Sequence, residues 1–307
     1  MLVRVLGSAA GGGLPQWNCN CQSCVAARRG VGGVKSRTQC SLAVSSDGKK
    51  WALLNASPDV RQQIAATAAL QPSPDAALRS SPIGAVVLTS ADVDQVAGLL
   101  SLREGHPYCI HSSPRVLEAL AANPIFNVLD PAAVRRVSME LDEPFTLEDI
   151  RGLAVELFAV PGKVALWLED PRSGPSLGTT EGDTLGIRVS EPATGQFFYF
   201  IPCCAHVDSR LSQRLMGAPL VLFDGTLFSD DEMIASHLSS KTGTRMGHIS
   251  MSGRAGSLAA LNTLGIARRV YIHINNSNPV LPPDSEERVS VEAAGWEIAE
   301  DGVEIRL

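Results

Sequence analysis

Along most of this chain, apolar positions alternate with polar ones or gather in short blocks. This pattern predicts strands at 3–6, 41–45, 51–55, 85–89, 108–110, 153–159, 184–190, 196–201, 220–223 and 269–274. Segments with helical spacing and capping residues predict helices at 59–69, 95–103, 114–122, 208–215, 230–234, 253–264 and 284–294. Strand-rich halves with interspersed helices imply an α/β (α+β) fold of two sheets flanked by helices. No internal repeat, low-complexity tract or linker divides the sequence, so residues 1–307 read as one domain.

Composition narrows the function classes. At 307 residues and 45% hydrophobic content, a large core is within reach. The formal net charge of −6 gives no whole-chain case for a nucleic-acid or anionic-membrane partner. The first apolar run is short and broken by Arg4, so it does not read as a signal peptide. No run approaches the ~18 apolar residues of a membrane span. The expectation is a soluble, cytoplasmic protein. Seven cysteines, three of them within six residues, then favour metal or thiol chemistry over disulfides.

Five constellations carry candidate chemistry. Cys19-x-Cys21-x-x-Cys24 lets one loop, at 17–25, supply three soft thiolates, which predicts a structural zinc ion. The segment from Leu88 to Leu99 ends an apolar strand in a polar turn containing Asp92 and Asp94, which act either as oxygen ligands or as helix-capping residues. Asp224 ends a second apolar strand, as a ligand or as a turn residue. His248 stands in a loop, and His273 lies in the last predicted strand, followed by polar residues that an ordinary strand does not need. Carboxylates and imidazoles at several strand ends weigh more together than singly. The glycine-rich turn at 7–13 lacks the Gly-Lys-Ser/Thr of a phosphate loop and reads as a close-packed turn. Cys203, Cys204 and His206 read either as a buried pair plus a surface histidine or as extra pocket residues.

The order of these motifs resembles the metallo-β-lactamase superfamily, whose signature is Thr-His-x-His-x-Asp-His before a helix. The stretches at 7–21, 53–59, 245–248 and 273–279 resemble the PqqB family of pyrroloquinoline quinone (PQQ) biosynthesis over essentially the whole chain. The resemblance implies an αββα sandwich, a site at one edge of it, and a homodimer supported by the zinc loop. It implies an active-site metal, iron(II), held by Asp94, Asp224 and His273 with Asp92 or Gln95 assisting, and a catalytic role for His248. It further implies a peptide-derived Glu–Tyr substrate, hydroxylated on its tyrosine ring, and other PQQ biosynthesis proteins as partners. Carriage of PQQ or its precursor toward the periplasm is the alternative, and metal-dependent hydrolysis the third. This chain departs from the signature: its three histidines become Ser90, Asp92 and Gln95. Lys163 stands near a further metal-binding histidine of relatives, and Asn276 stands where a related branch places a fourth zinc ligand.

Overall fold

The computed structural model describes residues 1–169 and 181–307. Its strands are β1 (Leu2–Gly7), β2 (Ser41–Ser45), β3 (Trp51–Leu54), β4 (Ile83–Val87), β5 (Tyr108–Ser112), β6 (Val134–Ser138) and β7 (Pro144–Thr146), then β8 (Ala154–Ala159), β9 (Leu185–Glu191), β10 (Gln196–Ile201), β11 (Val221–Asp224), β12 (Arg269–Ile272), β13 (Trp296–Ile298) and β14 (Glu304–Arg306). They form two seven-stranded sheets, ordered β14-β1-β2-β3-β4-β5-β6 and β13-β12-β11-β10-β9-β8-β7. The two sheets repeat one plan: antiparallel pairings on one side and parallel crossovers on the other, from β3 to β6 and from β10 to β13. The expected mixed-sheet sandwich is present, although the sequence itself shows no repeat.

The second sheet buries both faces, which explains its almost unbroken apolar runs. Phe198, Phe200, Leu222, Val270 and Ile272 pack into the core between the sheets. Their neighbours Tyr199, Ile201, Val221, Phe223 and Tyr271 pack on the other face, in a second core with the zinc-loop cysteines. Each fully buried side chain of this size contributes about 1.5–3 kcal/mol relative to exposure. Among the described residues no helix is long and apolar enough to cross a membrane.

Predicted and observed elements differ mainly where loops pack closely. The helix expected at 95–103 is one α-turn, Val93–Val96, followed by the tighter 3₁₀ segment Ala97–Leu102. The reason is Gly98, whose amide leaves the helical ladder and donates to the Ala56 carbonyl at 2.9 Å. The helix expected at 253–264 shortens to Ser257–Leu261, because Gly253 adopts φ +87° and Gly256 lies against the backbone of Met251 and Ser252. An unpredicted helix, Gln22–Arg29, begins inside the loop expected at 17–25 and carries Cys24; its end was signalled by Arg28 and Arg29 before a left-handed Gly30. Four short strands, β6, β7, β13 and β14, also lack a sequence signal. The glycine-rich turn is a strap between the sheets: Ala9 bridges both Gln39 and Ile274, and Ala10 N donates to Ile274 O.

A methyl group on Gly98 would lie under 3.0 Å from the carbonyl oxygens of both Ser57 and Ala56. Gly98→Ala is therefore expected to destabilise the fold by about 1–3 kcal/mol, as overpacking does. Denaturant titration measures this, and an unchanged midpoint would contradict the close approach.

Candidate metal centres

The parallel strands deliver the chemistry, because their carboxyl ends converge at one edge of the sandwich. β4 leads into Thr89–Gln95, β10 into Cys203, β11 ends at Asp224 and β12 leads into His273. Asn55, buried at the end of β3, fixes the first of these turns: its Oδ1 accepts from Thr89 N at 2.9 Å. Gly247, at φ +85°, ends the short helix Gly243–Met246 and turns the chain into His248. His273 is left-handed at φ +60°, which stops β12 and brings its ring to Asp94 and Thr226. Such a backbone is uncommon for a histidine and is held only by strong surroundings.

The side chains form one hydrogen-bonded chain. His273 Nε2 lies 2.9 Å from Asp94 Oδ2, and His273 Nδ1 lies 2.8 Å from Thr226 Oγ1. Thr226 Oγ1 donates to Asp224 Oδ1 at 2.7 Å, and Asp224 Oδ2 accepts from His248 Nδ1 at 2.7 Å. Asp224 Oδ2 also accepts from the Cys204 amide at 2.8 Å. The histidine rings stack with centroids 5.2 Å apart. Burial lowers the tendency of His273 to protonate, but the Asp94 hydrogen bond and the carboxylates of Asp94, Asp224 and Asp92 raise its pKa above the ordinary value. Reciprocally, burial raises Asp94, yet the His273 contact holds it below the usual carboxylate range. Asp92 is pushed up, first by burial and then by Asp94.

Asp92, Asp94, Thr226, His248 and His273 line a cavity of about 320 Å³ that also exposes Lys163, Lys241, Arg245 and Cys203, while Asp224 is fully buried behind them. Glu169 is bracketed by Arg245 at 3.2 Å and Lys163 at 3.3 Å, and the Arg245 hydrogen bond, then Lys163, hold its carboxyl below the usual range. Asp92 occupies a helix N-cap but does not cap: its Oδ1 accepts instead from Leu166 N at 3.1 Å. Ser90 is buried, with its hydroxyl on the Asp92 amide. Gln95 is also buried, bonded to Thr89 Oγ1 and, at 3.2 Å, to Cys203 Sγ. Asp94, Asp224 and His273 are thus linked through Thr226, with Asp94 on one ring and Asp224 on the other, but Asp224 is fully buried and the three do not form one ligand cluster. Sequence reasoning missed Thr226, since a Thr two residues after a strand-end Asp carries no distinctive signal. Cys204 is buried with its thiol on His206 O, and His206 is exposed.

Among the described residues, two groups place three ligand atoms of His, Cys, Asp or Glu within 4.8 Å of one another: Cys19, Cys21 and Cys24, and Cys203, His248 and His273. In the first, Gln16 N donates to Cys24 Sγ and Cys21 N to Cys19 Sγ, so the loop backbone already faces the sulfurs. Burial pushes the Cys21 thiol up to about 12. Against the upward push of burial, hydrogen bonds from Cys21 and its neighbours hold Cys19 below its ordinary value. Asn276 reaches this cluster with its side-chain amide 3.2 Å from Cys24 Sγ and 3.8 Å from Cys21 Sγ. Three converging sulfurs fit a zinc ion, and the Asn276 side chain lies against two of them. Cys21→Ser is expected to lose the ion and about 2–5 kcal/mol of stability, the scale of removing a covalent cross-link. Metal analysis with thermal unfolding checks this; a variant with unchanged zinc content and midpoint would contradict the assignment.

Residues 50–274 match the β-lactamase superfamily domain model. The chain is 51% identical to coenzyme PQQ synthesis protein B of Methylobacterium sp. (strain 4-46), covering all of both chains. It is 52% identical to the protein of that name from Rhodopseudomonas palustris (strain BisB5), again over both full lengths. The crystal structure of Zn(2+)-bound PqqB from Methylobacterium extorquens superposes with a TM-score of 0.95 at 50% identity and full coverage of both chains. A diphosphatase from the PhnP family, 18% identical and covering 100% of this chain and 97% of that one, shares the fold with a TM-score of 0.70. On sequence and architecture together, this chain belongs to the coenzyme PQQ synthesis protein B family, within the β-lactamase superfamily.

Proposed function

We propose that the chain acts in PQQ biosynthesis as a metal-dependent hydroxylase of the tyrosine ring in a peptide-derived Glu–Tyr precursor. The observation that supports this reading is a cavity lined by Asp94, His248 and His273, with Asp224 buried behind His248, whose wall also carries Lys163, Lys241 and Arg245. Two carboxylates and one imidazole, from Asp94, Asp224 and His273, match the ligand types of non-haem iron(II) oxygenases. Iron(II) bound there would supply dioxygen activation. The cavity volume lies within the range for a small ligand. Its cations suit the carboxylates of a Glu–Tyr pair, with Lys241 as the anchor, since Arg245 and Lys163 pair with Glu169. His248, oriented by Asp224 on the cavity wall, would exchange a proton with the phenol. The proposal includes a homodimer at the zinc loop, where Trp17 stands 87% exposed.

Gln95 favours a second reading, a carrier that binds PQQ or its precursor without turning it over. Its amide is engaged by Thr89 and Cys203 and supplies no imidazole. Other PQQ biosynthesis proteins are the partners in either case.

The test is anaerobic loading with iron(II), addition of a Glu–Tyr peptide, and admission of oxygen with ascorbate. One oxygen atom enters the ring and the other leaves as water, with ascorbate supplying two electrons. Mass spectrometry is expected to show a gain of ~16 Da, the mass of the added atom in this cofactor chemistry. Asp94→Ala is expected to reduce the yield and the iron affinity by roughly 10–100-fold. Tight peptide binding with no oxygen-dependent mass gain would overturn the hydroxylase reading in favour of the carrier.

A further inference from the structure

The cavity holds a sulfur donor that the carboxylate and imidazole set leaves out. Cys203 follows β10, His248 follows the helix Gly243–Met246, and His273 follows β12, yet their ligand atoms lie within 4.8 Å of one another. A thiolate at ~2.3 Å and imidazoles at ~2.0–2.1 Å from one ion bring such atoms slightly closer still. The ring nitrogens are already assigned. Asp224 and Thr226 take Nδ1 of His248, and Thr226 takes Nδ1 of His273. That leaves Nε2 of each ring as its donor, and Asp94 already sits on Nε2 of His273. A carboxylate or hydroxyl behind each ligating imidazole is the usual supporting arrangement, fixing the tautomer and the ring plane.

Gln95 completes the case. It is buried beside the sulfur and gives Cys203 Sγ an N–H bond at 3.2 Å, so the thiol and the amide share one corner of the site. An amide is a poor transition-metal ligand, whereas a thiolate is a strong one. Cys203 also opens on the cavity, unlike its buried neighbour Cys204.

We propose that Cys203, His248 and His273 bind a transition-metal dication through one thiolate and two imidazoles, with Asp94 beside His273. The inference rests on the reading that this cavity holds a metal, and it changes which residues hold it. On binding, the metal–sulfur bond replaces the S–H bond and the proton leaves to solvent. The donor set selects zinc, iron(II) or cobalt(II) over magnesium or calcium.

Cobalt(II) is the probe. Protein with its cysteine loop loaded with zinc is titrated anaerobically with cobalt, alongside Cys203→Ser and Cys203→Ala. Wild type is expected to take up one additional cobalt and to show a thiolate-to-cobalt charge-transfer band in the near ultraviolet. Both variants are expected to lose the band and to bind cobalt roughly 10–100-fold more weakly. Cobalt displacing zinc at the cysteine loop would leave the band in the variants, so the comparison assigns it. If the variants fold poorly, alkylation of wild type decides: bound cobalt is expected to protect Cys203 from iodoacetamide. An additional cobalt that binds without the band and without protecting Cys203 overturns this inference and leaves the cavity-metal reading standing. Absence of any additional cobalt overturns both.

Discussion

Asp94 and His273 meet across the edge of the sandwich, 2.9 Å apart and 179 residues apart in sequence. One follows β4 in the first sheet and the other follows β12 in the second, so their contact ties the two halves together where the chemistry lies. Both are largely withdrawn from water, which makes the contact demanding. Removing one partner from a buried pair typically costs about 3–5 kcal/mol, because the other charge is left unsolvated. The remaining groups answer that constraint. Thr226 joins His273 to Asp224, Asp224 orients His248, and the left-handed backbone at 273 keeps the imidazole in reach.

The same segment connects this cavity to the zinc loop. Three residues after His273, Asn276 reaches Cys24, while Asn278 donates to the carbonyls of Gly225 and Thr226. Ser277 donates to Glu232, whose carboxyl also accepts from Phe228 N. Burial pushes that carboxyl up to about 7 despite these hydrogen bonds. The cysteine cluster therefore has a structural meaning for this cavity: through Asn276 it anchors the far side of the turn that positions His273. It does so with cysteines packed in the outer core of the second sheet, away from the core between the sheets.

Much of this was legible in the sequence where the physics is local. The central strands announced themselves because both faces are buried, and β2 and β10 fall at their predicted limits. Asp94 in a turn after an apolar strand, Asp224 at the end of another and His273 within a third were legible as candidates, each with an ordinary turn, cap or core role beside it. What stayed hidden depends on distant partners. Nothing around Gly98 reveals that Ala56 and Ser57 press against it, and nothing around Thr226 reveals two histidines. Cys203 and Cys204 are adjacent and alike in sequence, yet one opens on the cavity and the other is buried in the outer core. Gln95 read as an assisting ligand in the place of a signature histidine, and its contact with that sulfur came only with the fold.

The central claim is that this edge of the sandwich holds a transition metal on side chains from both sheets. Anomalous diffraction from crystals soaked anaerobically in iron(II), recorded on both sides of the iron absorption edge, tests it most directly. The account predicts an iron peak in the cavity within bonding distance of His273, separate from any metal at Cys19, Cys21 and Cys24. A map with metal only at the cysteine loop, and the Asp94–His273 contact still closed, would contradict it.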